Sequence, residues 1–169
     1  MIEQITSANA EGVLPDLIET LRDSVANGAS VGFLPPLSEA EARRYWAGVI
    51  EDLARATRVL LVARKAERLV GIVQLELATK PNARHRAEVQ KLMVHSQARR
   101  QGIGRALLAA IEEEARRAGR TLLVLDTRQG DPSEQLYLSH GYTMAGIIPQ
   151  YCRSANGKLD ATVLYYRLI

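Results

Sequence analysis

Arg99-Arg100-Gln101-Gly102-Ile103-Gly104 is the stretch that most restricts what this chain can fold into, because it joins two segments of different period. Val89-Gln90-Lys91-Leu92-Met93-Val94 before it reads as a strand, and Leu107, Leu108, Ile111 and Ala115 after it recur at helical spacing. A strand, a glycine-bearing turn and a helix start together form an anion site. Glycine lets the backbone come close to a ligand, and the first amides of a helix have no partner inside it. Phosphate is the natural occupant.

Three glycine-rich motifs compete for that phosphate. A Walker loop needs Gly-Lys-Ser/Thr, which the chain lacks. Gly102-Ile103-Gly104 could open a dinucleotide fingerprint, with Asp126 ending the next apolar run as the ribose-binding acid. Against this, Leu107 occupies the third glycine position, and the polar stretch from His95 to Gln101 replaces the tight turn. The third motif, Arg/Gln-x-x-Gly-x-Gly/Ala, is filled by Arg99-x-x-Gly102-x-Gly104. Together with Leu92-Met93-Val94, the apolar run Leu122 to Asp126 and Tyr137-x-x-x-Gly141-Tyr142, it makes the chain resemble the GCN5-related N-acetyltransferases from about Val59 to Ile169. Gly28 to Phe33, Lys80-Pro81-Asn82, Arg86 to Val94, Leu125-Asp126-Thr127 and Tyr151-Cys152 further resemble the tabtoxin-resistance branch of that family.

The resemblance implies that acetyl-CoA is the cosubstrate, its pyrophosphate resting on Arg99, Arg100, Gln101, Gly102, Ile103, Gly104 and Arg105. Leu92, Met93 and Val94 would lie beside the thioester, with a backbone N–H of Met93 or Val94 holding the oxyanion. It also implies that the strands before and after the loop splay apart to admit the pantetheine arm.

Elsewhere the chain punctuates itself. An opening strand near Ile2 to Thr6 leads to a helix carrying Leu14, Leu17, Ile18, Leu21 and Val25 on one face, ended by Asn27-Gly28. Gly28 to Leu37 is a loop, and Ser38-x-x-Glu41 is a capping box opening a second helix with Tyr45, Val49 and Leu53 on one face. Arg58 to Arg64 and Leu69 to Ala78 form a hairpin, and residues 86–94 the next strand. After the loop helix come a strand at 121–127, a short helix at 132–139, and strands near 142–148 and 161–168. The order βααβββαβαββ predicts an α/β chain with a mixed central sheet and helices on both sides, built as one domain over 1–169. The strand after Arg120 runs parallel to the one before Arg99, because a long helix crosses between them.

Composition limits the partners. At 47% hydrophobic and 24% charged, the chain has an ordinary globular balance. No apolar run reaches membrane-spanning length, and no leader is visible at Met1-Ile2-Glu3-Gln4. A single cysteine, Cys152, fits a reducing compartment, so cytoplasm is expected. A net charge of +3 is too small an excess to imply nucleic acid, and the arginines are scattered outside Arg99-Arg100-Arg105. His85, His95 and His140 are too far apart in sequence for a local metal motif, so no metal is expected. Cys152 has no histidine beside it and reads as a packed or surface thiol, not an acetyl acceptor. The chain is expected to be a monomer or homodimer.

Transfer of an acetyl group to an amine needs a base, an oxyanion donor and a proton for the leaving thiolate. Asp126, at the end of an apolar strand, is the first candidate base; capping the following turn is the equal alternative. Glu88 is the second candidate, with an outward ion pair as its alternative. Tyr137 stands where the family carries its general acid, and a core aromatic is the competing role. Val31, Phe33 and Tyr151 fall in loops that the closer branch uses near its acceptor. These residues point to an acetyl-CoA-dependent N-acetyltransferase acting on a primary amine of a small molecule, such as an amino-acid-like toxin or antibiotic. The alternatives are a non-catalytic acetyl-CoA sensor or an RNA-binding relative.

Overall fold

A computed structural model describes all 169 residues. Its elements run β1 (Ile2–Ile5), α1 (Ala10–Ala26), α2 (Glu39–Ala54), β2 (Arg58–Lys65), β3 (Arg68–Leu77), β4 (Arg86–Val94), α3 (Ile103–Arg117), β5 (Leu122–Arg128), α4 (Ser133–Ser139), β6 (Thr143–Arg153) and β7 (Leu159–Leu168). The expected order holds. The strands form one seven-stranded sheet ordered β1-β2-β3-β4-β5-β7-β6, in which only β4 and β5 run parallel.

Strand alternation divides the apolar side chains between two faces. Leu60, Val62, Ile72 and Met93 point to one face and bury α1 and α2 through Leu17, Leu21, Val25 and Trp46. Leu61, Val73, Leu75, Val89, Leu123 and Leu125 point to the other and meet Leu107, Leu108 and Ile111 of α3 together with Tyr137 of α4. The helices therefore flank both sides of the sheet. None is long and apolar enough to cross a membrane.

The capping box at the start of α2 is complete. Glu41 N–H donates to Ser38 Oγ at 3.2 Å, and Ser38 N–H donates to Glu41 Oε2 at 3.1 Å. Two amides that the helix cannot satisfy internally are thereby paired.

The final hairpin is longer than its pattern suggests, with β6 reaching Arg153 and β7 starting at Leu159. Pro149 cannot donate to a ladder, and the pairing shifts register between Met144 and Gly146 and again between Ile148 and Cys152. Gln150 sits at φ 53° within the second irregularity. These bulges erase the alternation that marks a strand in sequence, and β6 tolerates them as an edge strand.

Replacing Ser38 with Ala leaves the Glu41 amide without its acceptor. It should cost about 1 kcal/mol, read as a fall of about 2–4 °C in Tm for a chain of this size by thermal circular dichroism.

Candidate active site

The connection between β4 and α3 is held in shape by charges on α1. His95 is buried; its Nδ1 accepts from the Gln97 N–H at 3.3 Å, so Nε2 carries the proton and donates to Glu19 at 2.8 Å. Asp23 accepts from Ser96 twice, from N–H at 2.8 Å and from Oγ at 2.7 Å. Arg99 Nε donates back to the Val94 carbonyl at 3.1 Å, and Gln101 Oε1 accepts from Lys65 Nζ at 2.8 Å.

Arg100 (φ 64°) and Gly102 (φ 81°) both take the left-handed conformation, which turns the chain sharply into α3. The first helical bond runs from Ala106 N–H to the Gly102 carbonyl at 3.0 Å, so the amides of Ile103, Gly104 and Arg105 have no helical acceptor. Gly102 brings no capping side chain and the first turn has no acid, leaving the positive end of the helix to an outside anion.

The two glycines do different work. A Cβ on Gly102 would meet nothing within 4 Å, so that position opens to the space before the amides. A Cβ on Gly104 would lie 3.5 Å from Leu136 Cδ2 and 3.8 Å from Val94 Cγ2. These are ordinary van der Waals distances, so a methyl fits at Gly104, and only a larger, branched side chain would press on Leu136 of α4 and Val94 of β4.

Beside this loop the sheet opens. β4 pairs with β5 only at Arg86↔Leu122, Ala87↔Leu123 and Glu88↔Val124, although β4 continues to Val94 and β5 to Arg128. The expected splay is present. Beyond Glu88, the edge of β4 that faces β5, including Leu92, Met93 and Val94, has no strand partner there. The Val94 carbonyl already accepts from Arg99 Nε, and the other backbone groups of that edge are open to pair with an extended ligand. A bulge lies in the same stretch: pairing with β3 jumps from Gln90↔Gln74 to Met93↔Ile72, with Lys91 at φ 51°.

Glu88 and Asp126 project to one face, since Glu88 is in register with Val124 and Asp126 lies two residues further on. Asp126 is exposed, and its Oδ2 accepts from Thr162 Oγ1 at 2.7 Å. It does not cap the following turn, where Asp131 accepts from Ser133 N–H and Glu134 from Gly130 N–H. Glu88 is half-buried and has no ion-pair partner.

Tyr137 is 7% exposed, its ring centroid 6.0 Å from those of both Tyr142 and Tyr165. Ser133, one helical turn earlier, has its Oγ 2.9 Å from Thr127 Oγ1. Burial pushes the Tyr137 phenol up to about 12, nearby Ser133 opposes the rise, and the carboxylates of Asp131 and Asp126 add to it. The group is consequently a protonated donor at any physiological pH.

The wall under α2 is polar and was not legible as a motif. Arg58 donates to Asp52 at 3.1 Å, Glu76 at 3.2 Å, Gln74 at 2.9 Å and Gln90 at 3.0 Å. Tyr45 donates to the same Gln74 oxygen at 3.1 Å. Burial raises the Tyr45 phenol to about 12. Phe33 packs edge-on against Tyr45 with centroids 5.3 Å apart, and Val31 joins the same cluster. Tyr151 stands on β6 with 54% of its surface exposed. Arg58, Lys91 and Tyr45 come from three elements far apart in sequence, so no spacing could have signalled them.

The description of the Acetyltransferase (GNAT) family matches residues 23–142. The chain belongs to that family. Among curated relatives, an uncharacterised N-acetyltransferase of the hisH-hisA intergenic region of Azospirillum brasilense is 35% identical over 70% of this chain and 70% of its own length. An IAA acetyltransferase of the same organism is 33% identical over 60% of this chain and 65% of its own length. A ribosomal-protein-alanine N-acetyltransferase from Brucella melitensis superposes with a TM-score of 0.83 at 27% identity, covering 100% of this chain and 99% of that one. The yncA structure from Salmonella typhimurium, solved with its cofactor acetyl-CoA, shares the GNAT fold at TM-score 0.78 and 19% identity, over 99% and 92% of the two chains.

Two outcomes follow from this geometry. Gly104→Ala should melt like the parent, whereas Gly104→Val should lower Tm by pushing Leu136 and α4 outward, as differential scanning calorimetry would register. The buried phenols make the fold alkali-sensitive: Tyr45 and Tyr137 favour the neutral form in the native state, so their contribution is intact below about pH 10 and is lost as pH rises toward about 12. Denaturation midpoints should therefore hold between pH 8 and 9.5 and fall above 10, with tyrosinate absorbance appearing together with unfolding.

Proposed function

We propose that this GNAT protein acts as one catalytic domain that transfers the acetyl group of acetyl-CoA to the primary amine of a small molecule. The observation that carries this reading is the conjunction, in one wedge between β4 and β5, of three free helix-start amides, an unpaired strand edge and a carboxylate facing the gap. Arg99, Arg100 and Arg105 add positive charge near the amides, with the neutral amide of Gln101 beside them, which suits a diphosphate. The edge of β4 suits the amide-rich pantetheine arm and offers Met93 or Val94 N–H to the oxyanion.

The amine arrives mostly protonated, its pKa being about 8 to 10, so it must lose a proton before it attacks the thioester carbon. Asp126 takes that proton, directly or through water, and the Thr162 hydroxyl steadies the carboxylate that does so. Glu88, on the same face, is the second group able to receive it. When the tetrahedral intermediate collapses, the C–S bond breaks, Tyr137 donates its proton toward the departing thiolate, and the second proton of the attacking nitrogen restores the phenol, leaving a neutral amide and a thiol. With the phenol at about 12 and the thiol at about 8.5, Tyr137 relays the nitrogen's proton to sulfur and does not end as a phenolate.

Within this reading the tabtoxin-resistance likeness favours an amino-acid-like toxin or antibiotic as acceptor, and Val31, Phe33 and Tyr151 as residues near it. The second reading is a peptide N-terminus, favoured by the full-length likeness to the Brucella melitensis enzyme. Absence of a membrane-spanning helix is compatible with work in the cytoplasm.

Free-thiol release from acetyl-CoA over a panel of amines tests the activity. Tyr137→Phe should lower kcat by about 10²- to 10⁴-fold, while calorimetry gives an unchanged Kd for acetyl-CoA. Parental turnover in that variant would remove Tyr137 from the reaction.

A further inference from the structure

Between the α1–α2 loop and the ends of β6 and β7 lies a cavity of about 250 Å³, lined by Gly28, Ser30, Gly32, Phe33, Arg128 and Cys152 among others. Arg128 and Arg153 are the only charged residues in its wall, and no carboxylate belongs to it. Arg128 lies two residues beyond Asp126 on β5 and leaves the strand on the same face. Its Nη1 donates to Ser154 Oγ at 3.3 Å, and its Nη2 stands 3.6 Å from Asp131 Oδ2, so part of its charge is already met. Arg153 is exposed and donates to the Gly157 carbonyl at 2.8 Å.

The rim carries a less satisfied cation. Lys91, thrown out of the ladder by the β4 bulge, directs Nζ to within 3.7 Å of where a Gly32 side chain would begin, and lies 5.7 Å from the centre of the Tyr45 ring. It forms no ion pair at all. Burial lowers its pKa and nearby Arg58 lowers it further, while Asp126, Glu88 and Glu76 pull the other way from beyond ion-pair range. Ammonium groups left half-buried without a counterion are costly, and an anion supplied by a ligand relieves that cost.

This face of the sheet thus presents carboxylates and cations side by side. Asp126 and Glu88 lie on it beside the strand gap, Arg128 lines the cavity, and Lys91 stands at the cavity's Gly32 rim without an ion pair. From this juxtaposition we propose that the acceptor is itself a zwitterion, an amino acid whose carboxylate docks on Lys91 with Arg128 behind it while its side chain fills the cavity. The inference rests on the acetyl-transfer reading and adds its substrate class. One uncompensated ammonium suits a singly charged carboxylate better than a phosphate. A volume of about 250 Å³, the room of about eight waters at roughly 30 Å³ each, suits a side chain and not a polypeptide.

The experiment is thiol release from acetyl-CoA with matched acceptors: a panel of free amino acids, their carboxamides, the decarboxylated amines, aminoalkylphosphonates and short peptides. Free amino acids should exceed their carboxamides by about 10- to 100-fold in kcat/KM, chiefly through KM, as expected for a charge-assisted hydrogen bond. Lys91→Met should collapse that ratio toward one, and Lys91→Arg should restore much of it. Carboxamides, decarboxylated amines, phosphonates or peptides used as well as the free acids would overturn the assignment and leave acetyl transfer standing. So would a Lys91→Met variant that loses kcat equally on acids and carboxamides with a displaced pH profile, which would mark Lys91 as a proton acceptor. Silence toward every amine, with acetyl-CoA bound, would instead overturn acetyl transfer itself.

Discussion

Everything at the active site depends on two parallel strands that part company. The β4–β5 ladder ends at Glu88 and Val124, yet both strands continue, so a row of backbone hydrogen-bonding groups is left inside a sheet that would otherwise be closed. Unpaired backbone at the centre of a fold is costly unless solvent or a ligand satisfies it. Here the gap opens to one face of the sheet, where α1 and α2 leave a cleft, and the strand edge is available to an extended partner. The bulge at Lys91 is part of the same arrangement. It bends β4 away from β5 and turns a residue that would have faced a neighbour toward the cleft.

The two faces of the sheet divide the labour. The α3–α4 face is built from a continuous apolar set, and α3 enters it with free amides at its start, so one element carries both core packing and an open helix N-terminus. The α1–α2 face is apolar near β1 and polar near β4, where Arg58, Gln74, Gln90, Glu76 and Asp52 form one connected network. Gln74 is fully buried, and its amide oxygen accepts from both Tyr45 and Arg58, which fixes which way the amide points. Within this network the oxygen side of Gln74 is satisfied twice, while its Nε2 is buried without a partner.

Much of this was legible in the chain. Local periodicity marked α1, α2 and α3, the capping box marked the start of α2, and the glycine spacing after Val94 marked the sharp turn into α3. The splay was legible through resemblance alone, since no residue pattern says where a parallel pair stops. What escaped depended on assembly. β6 hid behind Pro149 and two bulges. The nearness of Leu136 to Gly104 emerged only on assembly, and the Arg58 network joins residues from α2, β2, β3 and β4. Asp126 was ambiguous as a turn cap until Asp131 and Glu134 were seen to fill that role.

The bonds from Glu19 and Asp23 to His95 and Ser96 carry a further consequence. They splice α1 directly onto the segment that leads from β4 into α3. The glycine-rich loop at the end of α1 is thereby anchored to the start of α3 through side chains, not through the sheet. A handful of carboxylate contacts thus makes the first helix and the entry into α3 one mechanical unit, although more than seventy residues separate them along the chain.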